Sequence, residues 1–113
     1  MIYASTTFFN DNTPIAIALE NCEKYSITNI ELGSNHAYED NYIKAIESHS
    51  FNFIVHNYFL RPKKDIVVNI ASQNKDILEL SLKHIFKSID FCKKINSNLY
   101  TFHPGFLTDP LDE

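Results

Sequence analysis

The stretch "FNFIVHNYF", residues 51–59, decides the fold. It is an apolar run of strand length that stops at a histidine. Side chains alternate between the two faces of a strand, so Phe53 and Val55 share one face and His56 lies on the other. The more apolar face predicts packing against helices, which leaves His56 on the opposite face at the carboxyl end of the strand. A single histidine at such a position more often has a structural role, with its ring hydrogen-bonded, than a role in binding a metal or a substrate. A matching histidine on a neighbouring strand weakens that interpretation.

A second extended stretch, "SNLYTFHPG" (97–105), ends in the same way at His103. By the same alternation, Thr101 shares a face with His103, opposite Tyr100 and Phe102. Both strands are therefore expected to end with an imidazole on the face that the helices leave uncovered.

The segment between these two stretches predicts a long connection followed by a helix. Residues 60–73 form the connection, and Ser72 is the expected N-cap. Apolar residues then recur in steps of four and three, the helical period, at Leu78, Leu82, Ile85, Ile89 and Cys92. Strands joined through a helix run parallel, and neighbouring strands lie about 4.8 Å apart. The imidazoles of His56 and His103 are therefore expected within reach of one metal ion or one substrate oxygen.

The amino-terminal half of the chain repeats the same alternation of strand and helix. Its predicted elements are a strand over 2–9, a helix with Thr13 as N-cap and Pro14 as first residue, a strand over 28–34 and a short helix over 39–50. The order is βαβαβαβ, which predicts an α/β fold with parallel strands. Glu31 lies opposite Ile30 and Leu32 in the second strand, so its carboxylate is expected on the same face as the histidines.

Composition limits the class of protein. The chain has 113 residues, enough for one domain with a core. A net charge of −4 makes nucleic acid an unlikely partner, and the absence of a signal peptide or membrane-length apolar run predicts a cytoplasmic protein with no membrane contact. The two glycines exclude glycine-rich phosphate loops. Cys22 and Cys92 fall at apolar helical positions, as expected for reduced core thiols.

Three stretches together resemble the xylose isomerase-like TIM-barrel superfamily. They are "FIVHNYFLRPKKDIVVNIAS", "ILELSLKHIFKSIDFCKKINS" and "LYTFHPGF". The superfamily contains sugar-phosphate isomerases and epimerases and the metal-dependent apurinic/apyrimidinic endonucleases. The ordered set of motifs is typical of the superfamily and does not select one reaction.

The resemblance assigns roles to individual residues. It implies that His56 and His103 are metal ligands, as in the endonuclease branch, or substrate contacts, as in the isomerases and epimerases. It implies substrate contacts for Tyr58 and Glu31 as well. The implied cofactor is a divalent cation (Mn, Mg, Co or Zn), whose coordination two histidines cannot complete.

The resemblance covers only half of a barrel, since a complete one has eight βα units and about 250 residues. We expect residues 1–107 to be the N-terminal half of a TIM barrel with its helices on the outer face, and residues 108–113 to be a polar tail. The chain would then be half of a longer protein or the product of a truncated reading frame. Its expected partner is the missing half-barrel or a second copy, because both sheet edges and the inner face are otherwise exposed.

Three functions remain open at this point. The first is metal-assisted proton transfer on a small carbohydrate by a sugar or sugar-phosphate isomerase or epimerase, with this chain alone inactive. The second is a phosphodiesterase similar to the apurinic/apyrimidinic endonucleases, against which the net charge counts mildly. The third is a catalytically inert half-barrel.

Overall fold

The structure is a computed structural model that describes residues 1–59 and 61–109. Its elements alternate as predicted, although most are shorter than the sequence patterns suggested. The strands are β1 (Ala4–Ser5), β2 (Asn29–Leu32), β3 (Asn52–His56) and β4 (Tyr100–Thr101), and the helices are α1 (Ile15–Lys24), α2 (Tyr42–Glu47) and α3 (Lys75–Lys94). The predicted strand over 2–9 is wrong beyond Ser5, because the chain turns there into a 3₁₀ helix, Thr6–Phe8.

The four strands form one parallel sheet in the order β1-β2-β3-β4. The predicted α/β fold with parallel strands is therefore confirmed. In register, Glu31 lies beside Ser5 and Ile54, and His56 lies beside Thr101. Within the described residues, β1 and β4 are the two edges of this sheet.

One hydrophobic core holds the helices against the sheet. On the sheet side it contains Ile30, Leu32 and Val55, all fully buried, together with Phe53. These residues alternate with Glu31, Ile54 and His56, which stay half-buried. Because α1, α2 and α3 all contribute to that single core, the helices cover one face, as the alternation predicted. Buried helical members of the core are Ile15, Ala18, Leu19, Cys22, Ile46, Phe91 and Cys92.

The predicted apolar stripe of α3 is only partly the buried face. Leu82 and Ile89 are each 38% exposed, whereas Ser81 and His84 are buried. Hydrogen bonds explain why these two polar residues are buried. Ser81 Oγ accepts a hydrogen bond from Asn69 N, and His84 Nε2 donates to the carbonyl of Asn57. These contacts turn a partly polar face inward, which hydrophobic periodicity cannot foresee.

Both predicted helix caps are one or two residues misplaced. Pro14 is the N-cap of α1, while the Thr13 hydroxyl donates to Asn10 O. Asn74 caps α3 by accepting from Asp76 N, and Ser72 accepts from Asn74 N just before it. Side chains of this kind can form hydrogen bonds with several neighbouring backbone groups, and the sequence does not show which bond forms.

Cys22 and Cys92 are buried free thiols, which confirms their prediction as core residues. Burial raises the pKa of both thiols. In the described part of the chain, no helix is both long and apolar enough to cross a bilayer.

Candidate functional site

His56 and His103 lie side by side at the carboxyl rim of the sheet. Their ring centroids are 5.4 Å apart, and the rings are nearly perpendicular. His56 ends β3 and is half-buried, whereas His103 follows β4 and is exposed. The spatial prediction from the two strand ends is therefore confirmed.

The Thr101 hydroxyl fixes the orientation of the His56 ring. His56 Nδ1 lies 2.8 Å from Thr101 Oγ1, across the β3–β4 pair. With Nδ1 occupied on one side, Nε2 is the nitrogen left for a ligand. A metal on Nε2 requires the tautomer in which Nδ1–H donates to Thr101, an arrangement common for metal-binding histidines.

Three hydrogen bonds to the backbone of Asn57 hold the tight turn after His56. The backbone of Asn57 is left-handed (φ 49°), a conformation that asparagine tolerates better than most residues. Its N–H donates to Thr101 O, and its carbonyl accepts from Tyr100 Oη and His84 Nε2. Burial lowers the pKa of His84, and nearby Lys87 adds to this, while the Asn57 bond opposes it. A neutral His84 thus supports the turn on which the histidine pair depends.

Asn69 joins the loop after β3 to the segment after β4. It is 1% exposed, and its Oδ1 accepts from Ala71 N and Phe106 N. A Cβ at Gly105 would collide with Asn69 Oδ1, so this close approach requires glycine. The motifs "NIAS" and "HPG" are therefore one hydrogen-bonded unit directly behind His103.

Asp109 completes that unit from the end of the described chain. Its carboxylate accepts from Asn69 Nδ2 and from Ser72 Oγ, each at 2.7 Å. The polar tail predicted over 108–113 thus contacts the domain at Asp109, and its last four residues lie outside the described part. Sequence reasoning missed Asp109 because no periodic pattern marks a single carboxylate in a polar segment.

Among the described residues, no hydrogen bond or ring contact links Tyr58 or Glu31, the other two predicted site residues, to His56 or His103. Tyr58 turns toward the long loop, where its hydroxyl accepts from Val68 N, and its ring centroid lies 5.6 Å from that of His84. Glu31 is half-buried on the same sheet face as His56, and within the described chain its carboxylate has no ion pair or hydrogen bond.

A polar cleft of about 440 Å³ is lined by residues that follow β1, β2 and β3 in the chain, and neither His56 nor His103 lines it. Tyr58 lines it, as do Arg61 and Asp65, whose side chains approach to 3.4 Å. The remaining lining residues are Asp11, Asn12, Ser34, Asn35, Pro62 and Ile66. Two carboxylates and one already paired guanidinium give this cleft no excess positive charge.

The residues present fit a metal ion only in part. Two imidazole nitrogens at the rim suit a borderline cation such as Zn²⁺ or Co²⁺. In the described ranges 1–59 and 61–109, no three His, Cys, Asp or Glu side chains are grouped so that they could hold a metal. A complete coordination shell would need further ligands from substrate, water or additional chain.

Comparison with known proteins adds no relative: no family model, curated protein or solved structure matches this chain significantly.

Proposed function

We propose that this chain forms half of a xylose isomerase-like (β/α)₈ barrel. Its strands follow one another in sequence order with all helices on one face, as in such barrels. Doubly wound sheets instead reverse their strand order and carry helices on both faces. A barrel also gives the open edge of β4 a neighbour.

The exposed side of α3 supports further βα units beyond β4. Phe91 of α3 contacts Tyr42 of α2, and Leu82 lies about 180° around the helix from Phe91 at 3.6 residues per turn. Leu82, Phe86 and Ile89 are 38–61% exposed. Leu82 and Phe86 line an open groove that Tyr42 of α2 also lines. The next helix of a barrel, or a second copy of the chain, would pack over this apolar side.

The proposed activity of the assembled barrel is isomerisation or epimerisation of a small sugar. The observation that carries the proposal is the 5.4 Å separation of His56 and His103 at the rim where barrels build their sites. A divalent cation bound there would polarise a carbonyl and a neighbouring hydroxyl. His56 Nε2 and His103 would hold that cation or the substrate oxygens, and Thr101 would orient His56.

The polar cleft favours a neutral sugar over a sugar phosphate. Arg61 is paired with Asp65, and the Lys63 ammonium lies 4.9 Å from the centroid of the Tyr38 ring. Both cations therefore already have a partner, and amides, hydroxyls and carboxylates suit the hydroxyl groups of a sugar. The same deficit of positive charge disfavours the runner-up, an endonuclease that grips a phosphodiester backbone.

Saturation-transfer NMR tests this proposal on the purified chain. With Zn²⁺ present, aldoses and ketoses should receive saturation more strongly than their phosphates or an abasic-site oligonucleotide, and His103→Ala should weaken the transfer at least tenfold. Preferential binding and cleavage of the abasic oligonucleotide would favour the endonuclease. Binding of none of these compounds would support the inert half-barrel.

A further inference from the structure

A second pocket lies behind the loop that forms one wall of the polar cleft. It has a volume of about 260 Å³ and is enclosed by the loop residues Pro62, Lys64 and Ile66 and by one side of α3. The α3 residues are Leu80, Lys83, His84, Lys87 and Ser88. It does not include the histidine pair.

The charge of this pocket is uniformly positive. Lys64, Lys83 and Lys87 line it, and none of the three has an ion-pair partner in the described part of the chain. No carboxylate lines the pocket. Glu79 and Asp90 of α3 line an adjoining groove, which Lys83 and Lys87 also border, and Asp90 pairs with Lys93. In a chain of net charge −4, this concentration of unpaired ammonium groups favours an anion.

Apolar side chains form part of the pocket's lining. Ile66, Leu80 and Pro62 supply its hydrophobic surface, and His84, with its pKa lowered by burial, adds an uncharged ring. The pocket's volume of about 260 Å³ leaves room for a ligand of about ten non-hydrogen atoms. Such a pocket combines a site for a short apolar body with cations at its rim.

We propose that this pocket binds a small amphiphilic anion: a carboxylate or phosphate monoester with an apolar body of six to eight carbons. The apolar body lies against Leu80 and Ile66, and the anionic group lies among the three lysines. This proposal does not depend on the function of the histidine pair, because binding is measured at the pocket itself.

The pocket shares structure with the polar cleft. Pro62 and Ile66 line both spaces, and the ring of Tyr58, which lines the cleft, packs on His84, which lines the pocket. An anion in the pocket therefore contacts the back of the loop whose front faces the cleft. Its binding should therefore couple to occupancy of the cleft.

Titration with four matched probes tests the proposal. Octanoate and phenyl phosphate carry both a charge and an apolar body, 1-octanol carries only the body, and inorganic phosphate carries only the charge. In ¹H–¹⁵N spectra, the first two should shift the amide signals of residues 63–66 and 80–88, and the last two should bind at least tenfold more weakly. Equal binding of 1-octanol, or of inorganic phosphate alone, would overturn the proposal.

Matched variants test the residues. Lys83→Gln and Lys87→Gln should each weaken octanoate binding at least threefold and together at least tenfold, whereas Lys44→Gln on α2 removes the same charge and should have no effect. Leu80→Asn should weaken binding, and Leu82→Asn, on another side of α3, should not. If the double lysine variant folds normally and still binds octanoate as tightly as the wild-type chain, the assignment is contradicted.

Discussion

Gly105 packs so closely against the Asn69 side chain that no Cβ fits between them. This contact connects the two motifs, "NIAS" and "HPG", that lie far apart in sequence and flank α3. The loop after β3 and the segment after β4 are thereby held as one unit at the carboxyl rim. That unit supports the backbone that carries His103.

Removing the Asn69 side chain should destabilise the domain by about 2 kcal/mol, because the partly buried amides of Ala71 and Phe106 lose their acceptor. Urea unfolding of Asn69→Ala measures this loss. Asn98→Ala, at an exposed position, is the matched control and should change the free energy of unfolding by less than about 0.5 kcal/mol. Equal effects of the two substitutions would contradict the role of Asn69.

A methyl group at Gly105 should cost about 2 kcal/mol by collision with Asn69. The same Gly105→Ala substitution should cost less in the Asn69→Ala background, since the colliding oxygen is gone, while the backbone conformation of Gly105 (φ 157°) keeps part of the cost. A double-mutant cycle by urea unfolding measures the difference. Strictly additive effects would show that the two residues do not interact.

His84 should make the stability of the domain depend on pH. Burial lowers its pKa in the folded state below the ordinary value of about 6.5, so the unfolded chain binds more protons between those two values. The contribution of His84 is therefore fully present above pH 6.5 and is lost as the pH falls toward the folded pKa. His84→Gln should reduce the slope of unfolding free energy between pH 7.5 and 5. An unchanged slope would contradict a depressed pKa.

The apolar side of α3 should drive self-association of the chain. Sedimentation velocity should show oligomers that Leu82→Glu and Phe86→Glu reduce, because each places a charge on exposed apolar surface. Ile17→Glu on α1, which is 46% exposed, is the control and should leave the distribution unchanged. A monodisperse, cooperatively melting wild-type monomer would contradict this prediction.

Sequence periodicity predicted the element order, the parallel sheet and the faces of the strands. The alternation in 51–59 and 97–105 was sufficient because one face of each strand is apolar and the other is not. It was insufficient for α3, where Ser81 and His84 turn inward to meet backbone groups of the loop after β3. Such contacts join positions 12 and 27 residues apart, which local patterns do not encode.

For the candidate site, the sequence predicted the position of the histidine pair but not the contacts of the residues around it. Two strand-terminal histidines on one face of neighbouring strands must lie close together, and they do. The contacts of Tyr58 and Asp109 depend on the path of a long irregular loop, for which the sequence carries no periodic signal. Glu31 was placed on the correct face, but alternation alone does not say what its carboxylate meets.

Thr101 should act as a positioning residue for His56. Thr101→Val removes the hydroxyl that lies 2.8 Å from His56 Nδ1 and should weaken Zn²⁺ binding by about 10- to 100-fold. Thr101→Ser retains the hydroxyl and should restore most of the affinity, a rescue that a purely structural effect of the valine would not predict. Equal affinities of the valine and serine variants would contradict the role.

The central claim, that His56 and His103 form one cation site, is tested most directly by calorimetric titration with Zn²⁺ alongside NMR of the histidine rings. We predict one micromolar site per chain, simultaneous shifts of both ring signals, and at least tenfold weaker binding in His56→Ala and in His103→Ala. His49→Gln, which changes a histidine before the start of β3, should leave the affinity unchanged. Binding that persists in both alanine variants, or no binding by the wild-type chain, would contradict the claim.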